Sequence, residues 1–215
     1  MRSRSRPASV ILAILAVIIL AAPVTAANPW MAFKQSGTNA FAFTPESCLD
    51  NADGTITCQA ESIDVFDGTM KQTGEPTIHG EQACYNQSSF TFDPDSGGPI
   101  ASRSLFGCAL DPGTITIDNL TSVALAPTVI ELVEVVCDDT TCTESPGGTT
   151  TVEGTWTGIG PITSQKGKFS FDDGTCIQVS ADRGTSREAS FEGSLDAQMA
   201  RIGEGGFTFR TTCAF

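Results

Sequence analysis

From Thr149 to Leu195 the chain reads TTTVEGTWTGIGPITSQKGKFSFDDGTCIQVSADRGTSREASFEGSL, a series of short alternating segments broken by Gly and Asp-Gly. A period of two punctuated in this way predicts antiparallel strands joined by tight turns. Around Trp156 the alternation puts Val152, Gly154 and Trp156 on one face and Thr151, Glu153, Thr155 and Thr157 on the other. The next run sets Phe169 and Phe171 opposite Lys166, Lys168 and Ser170, which predicts phenylalanine inside and lysine in water. Other segments repeat the pattern, with Phe41 and Phe43, Phe90 and Phe92, Ile115 and Ile117, and Phe207, Phe209, Cys213 and Phe215 each sharing a face. Ile56, Cys58 and Ala60 are followed by Ile63 and Val65 at the opposite parity, which predicts a bulge or a strand with apolar neighbours on both sides. Thr128 to Val136, TVIELVEVV, is the most apolar stretch after residue 27 and reads as a central strand covered on both faces.

Helical periodicity is confined to Asp182–Arg187 and Asp196–Ile202 and is not sustained in either. With strand-like segments and turn signals about every 8 to 12 residues, the class is all-β: an antiparallel β-sandwich or a closed barrel with little helix. Residues 28–215 are expected to form one domain, with two related halves meeting near Pro127 as the alternative.

The first 27 residues change the compartment. Arg2, Arg4 and Arg6 precede the uncharged apolar run Val10–Ala22 and the small residues up to Ala27, the order of a secretory signal peptide; an uncleaved anchor is the alternative. Eight cysteines, Cys48, Cys58, Cys84, Cys108, Cys137, Cys142, Cys176 and Cys213, follow this signal, and an even number in an exported chain reads as disulfides. Cys137 with Cys142, and Cys48 with Cys58, flank tight turns; Cys84 with Cys108 and Cys176 with Cys213 follow by proximity. Zinc is disfavoured, because C-x2-C spacing is absent and His79 is the single histidine.

Charge excludes some partners. The chain has 25 acidic and 12 basic residues, net −13, and loss of three leader arginines leaves 9 − 25 = −16. Such a surface repels nucleic acid and anionic lipid, so neither is an expected partner, nor is stable membrane insertion once the signal is removed.

Candidate chemistry is sparse. His79 has no G-x-S-x-G elbow to serve, so no catalytic residue is assigned. In a strand Glu61 and Asp67 point one way and Asp64 the other, while Glu131 and Glu134 also differ in parity, so neither group makes a ready glycosidase pair. Trp30 and Tyr85 are the aromatic side chains left for stacking on a sugar. Calcium is the one ion the composition invites: Asp93-Pro-Asp95-Ser-Gly begins like a calcium loop but has Gly97 at the third ligand position, and Asp138-Asp139 and Asp172-Asp173-Gly174 offer further oxygens. Asp-Gly pairs are first of all hairpin turns.

The block Gly154-Thr-Trp156-Thr-Gly-Ile-Gly160-Pro, with Asp173-Gly174-Thr-Cys176 and Arg187-Glu-Ala, resembles a group of uncharacterised secreted bacterial disulfide-containing β-sandwich proteins of about this size. The resemblance implies export and a disulfide-bonded β fold, and it carries no activity. The expected function is therefore a secreted or cell-envelope accessory module that binds an extracellular protein or glycan without catalysis. An extracellular polysaccharide-active or glycan-binding domain is the alternative.

Overall fold

The computed structural model describes residues 30–95, 99–138, 141–172 and 176–213; the predicted leader lies outside them. Ten strands account for most of these residues: β1 (Trp30–Phe43), β2 (Ser47–Asp50), β3 (Ile56–Gln72), β4 (Ile78–Phe92), β5 (Pro99–Leu110), β6 (Ile115–Asp118), β7 (Ser122–Asp138), β8 (Cys142–Asp172), β9 (Cys176–Gly193) and β10 (Met199–Cys213). Both stretches with weak helical periodicity belong to strands or the turn before one, where sheet pairing overrides local preference.

Every pairing is antiparallel, and the order β1-β10-β9-β8-β7-β5-β4-β3 returns to its start because β1 pairs with β3 as well as with β10. Eight strands thus close into a barrel, with β2 and β6 as short additions beside β3 and β7. Closure removes the long exposed edges that an open sheet would leave. Pro127, the expected meeting point of two halves, falls inside β7 at a bulge.

The inner wall is lined by Ala40, Ala42, Ile63, Val65, Ala83, Val123, Leu125, Ile130, Val152, Trp156, Ala189 and Ile202. Leu120, just after β6, and Leu195, between β9 and β10, add to this core. An eight-stranded barrel is only wide enough for its own side chains. One Trp therefore fills the middle and alanines face it from β1, β4 and β9.

This corrects the expected phenylalanine core. Ala40 and Ala42, not Phe41 and Phe43, face inward on β1; Phe90 is exposed, and Phe169 and Phe171 are half exposed on the outer face. Facing rows of phenylalanine would overfill so narrow a lumen. On β3 the core face is Ile63 and Val65, while Ile56, Cys58 and Ala60 point outward, and no register shift is needed between them. Nor is β7 covered on both faces: Val129 is 64% exposed because the outer wall of a closed barrel meets solvent. That wall also exposes Glu131, Glu153, Glu188 and Glu192, charges unsuited to hydrocarbon.

The strands are strongly staggered. Beyond the ends of β5 and β7, strands β8, β9, β10, β1 and β3 continue as an open sheet, referred to below as the first extension. At the opposite end β3, β4, β5, β7 and β8 do the same, forming a second extension. Gly68, Gly37, Gly205 and Gly184 stand side by side on β3, β1, β10 and β9 where the first extension leaves the barrel. A Cβ on any of them would run into the backbone of the adjacent strand, so only glycine permits this close approach.

Candidate functional site

Each extension continues the inner wall of the barrel, and the two inner faces differ in charge balance. On the second extension the polar side chains satisfy one another. Glu61 accepts hydrogen bonds from Gln87 Nε2 at 2.9 Å and from the Tyr85 hydroxyl at 3.3 Å. Burial, reinforced by the Glu61 carboxylate, pushes the Tyr85 phenol up to about 12. Arg103 Nε donates to Glu134 Oε1 at 2.5 Å and Ser145 donates to Oε2 at 3.4 Å; the Arg103 hydrogen bond holds the Glu134 carboxyl below its ordinary value. Gln59, Gln87, Ser89, Arg103 and Leu105 enclose about 50 Å³, room for a water but not for a sugar ring. Tyr85, one of the two aromatic candidates for sugar stacking, thus packs on the core and bonds Glu61.

The inner face of the first extension is the reverse. The strand registers place Lys71, Lys34, Thr208, Ala181 and Lys168 in one row across β3, β1, β10, β9 and β8. An adjacent row holds Ser36, Gly206, Arg183 and Lys166, and Arg210 lies two residues beyond Thr208 on β10. Six of the nine basic residues in the described segments therefore share this face, all exposed, and Arg187 continues it toward the core. Two pairs of like charge stand directly opposite each other, Lys34 with Lys71 and Lys166 with Arg183, an arrangement that destabilises a sheet.

Nothing described neutralises them. The ion pairs among the described residues are Arg103 with Glu134 and His79 with Asp67, and none of the six takes part in either. Glu204 is the nearest carboxylate of the same inner parity on these strands, one position beyond Gly205. Ala32, Lys34, Lys71, Thr73, Thr208 and Arg210 line an open groove of about 680 Å³. The outer parity of the same strands carries Phe33, Phe169, Phe171, Phe207 and Phe209, of which Phe33 also lines the groove.

The predicted site residues fall as follows. Cys48–Cys58, Cys84–Cys108 and Cys137–Cys142 are disulfides, each joining directly opposite residues with Cα atoms 4.0–4.1 Å apart. Cys176 and Cys213 are likewise opposite in register, their side chains lying outside the described set. Glu46 lies near the first bridge, but sulfurs committed to a disulfide offer no thiolate to a metal.

His79 is exposed at the start of β4, 3.4 Å from Asp67. Glu61 and Asp67 share the inner parity and Asp64 the outer, as the alternation required. Glu131 and Glu134 also remain on opposite faces. Of the calcium candidates, Asp93 accepts the Asp95 N–H and Asp138 accepts from Thr141, both local turn bonds; Gly97, Asp139, Asp173 and Gly174 lie outside the described residues. Trp30 opens β1 opposite Thr212, and its side chain is outside the described set.

No model of a known protein family matches the chain, and no curated protein is similar to it. The basic face escaped sequence reading because its members are spread from residue 34 to residue 210 and meet only through register. Its one local signal, Lys166 and Lys168 against Phe169 and Phe171, pointed to the wrong wall.

Proposed function

We propose that this protein is an exported, disulfide-braced binding module, without catalysis of its own, that engages its partner through the inner face of the first extension. The observation that carries the reading is six exposed basic side chains gathered on one face of a chain whose net charge is −13, two pairs of them set directly against each other. Like charges so placed lower stability, and an arrangement of that kind persists where function requires it. The middle of the barrel is filled by its own side chains and the second extension by its own hydrogen bonds, which leaves the first extension as the place for a ligand.

The test is retention of the mature protein, residues 28–215, on sedimented cell-envelope material from the producing organism. Binding without release of low-mass products supports the reading. Release of soluble sugars would favour the polysaccharide-active alternative, and failure to be retained by envelope or secreted polymers would remove the module reading.

A further inference from the structure

The geometry points to an acidic polysaccharide, a single chain bearing carboxylates or sulfates, as the occupant of the groove on the first extension; this rests on the binding-module reading above. The cations form two groups. Lys34, Lys71 and Arg210 line the groove between β1, β3 and β10, and Lys166, Lys168 and Arg183 lie on β8 and β9. Lys34 and Lys168 are three strands apart in one row, roughly 14 Å at the usual strand spacing. A linear chain carrying repeated anionic groups meets both clusters at once, whereas a small anion meets one.

Three observations choose among polyanions. Single-stranded nucleic acid is held by stacking successive bases on aromatic rings. Of the described phenylalanines of this extension Phe33 alone lines the groove, while Phe169, Phe171, Phe207 and Phe209 stand at the outer parity. A duplex or an anionic bilayer is broad and would reach past the two clusters to Glu204, the inner-face carboxylate beyond Gly205, on a chain of net charge −13. A groove flanked by Lys34, Lys71 and Arg210, with the Thr208 hydroxyl beside them, suits one narrow hydroxyl-rich chain. Binding also brings negative charge to the opposed pairs Lys34–Lys71 and Lys166–Arg183, which take part in neither of the ion pairs among the described residues.

Fluorescence anisotropy of the disulfide-intact mature protein tests this, with labelled polygalacturonate and heparin oligosaccharides beside neutral dextran, single-stranded DNA, duplex DNA and phosphatidylglycerol vesicles. The acidic oligosaccharides are expected to bind best, with affinity falling as salt rises. Lys34→Gln with Lys71→Gln, and separately Lys166→Gln with Lys168→Gln, are each expected to weaken binding roughly tenfold, while Arg201→Gln on the outer face leaves it unchanged. Thermal melting of the same variants shows that they fold. A preference for DNA or vesicles, or full affinity in both double variants, overturns the proposal. If the protein is retained on envelope material yet indifferent to these substitutions, the polyanion inference alone falls; if it is retained by nothing, the module reading falls with it.

Discussion

Asp64 is the most perturbed acid described. It points to the outer face in a row with Phe41 on β1 and the Cys84–Cys108 bridge, with Ser62 Oγ 3.4 Å away, and burial raises its carboxyl from 3.8 to about 6. Because the folded value lies above the unfolded one, the native state holds a proton between pH 4 and 6 that the unfolded chain has released. Stability from this group is therefore fully present below about pH 4 and falls as pH rises through 6, by on the order of 3 kcal/mol. Urea titrations at pH 4 and pH 8 should show that fall in the wild type and its loss in Asp64→Asn; parallel profiles would contradict the assignment. A second residue-scale outcome concerns the G-T-W-T-G block. A Cβ on Gly154 would approach Phe191 Cζ to 2.5 Å, and that ring is seated 4.8 Å from the Trp156 ring, so the glycine makes room for the aromatic pair that fills the barrel. Gly154→Ala is expected to cost about 1–3 kcal/mol of stability by forcing the ring to move, measurable as a lower melting temperature. The block that carries the sequence resemblance is thus packing, not a site.

The strand is the scale at which sequence reading both succeeded and failed. Cysteine pairing was legible because hairpin neighbours face one another: Cys137 and Cys142 bracket a turn, and so do Cys48 and Cys58. All three described bridges staple the outer wall, leaving the lumen to hydrocarbon. Loop entropy ranks them. Replacing Cys84 and Cys108, 24 residues apart, by alanine should cost about 3.5 kcal/mol, and replacing Cys137 and Cys142, 5 apart, roughly 2. Chemical denaturation of the two double mutants checks the order. The direction of each strand's faces was not legible where both parities are plausible. Alternation identifies two faces and does not say which is inside, so the phenylalanines of β1 and β8 were assigned to the core by hydrophobicity alone. Lumen width, a property of strand number, reversed Phe41 and Phe43, whereas Phe169 and Phe171 lie on the first extension, where β8 carries its outer parity beyond the barrel. The same reversal placed lysines on the inner wall, and with them Lys34 opposite Lys71. Lys71→Gln is expected to raise the stability of the unliganded protein by a few tenths of a kcal/mol at low salt, the gain vanishing at about 1 M salt; a loss of stability would mean that the pair is compensated.

At the scale of the whole molecule, all-β architecture follows from the period of two, but closure does not. Whether β1 is an edge strand or a keystone depends on two long-range pairings, fourteen residue pairs with β10 and eleven with β3, and nothing local in Trp30–Phe43 encodes either. Its alternating Ala40 and Ala42 face the same core as Ile63, Val65 and Ile202, so β1 both completes the hydrogen-bond ring and seals the lumen. Removing residues 28–43 should therefore leave two unpaired edges, β3 and β10, flanking an exposed apolar seam. The truncated chain is expected to lose cooperative unfolding, bind a hydrophobic dye, and self-associate through the freed edges. A synthetic peptide spanning residues 28–43 should reverse all three by strand addition. Size-exclusion chromatography and dye fluorescence with and without the peptide decide the matter: a truncated chain that stays monomeric and melts as sharply as the full domain would show that the barrel does not depend on its first strand, and the groove between β1, β3 and β10 would lose its structural footing.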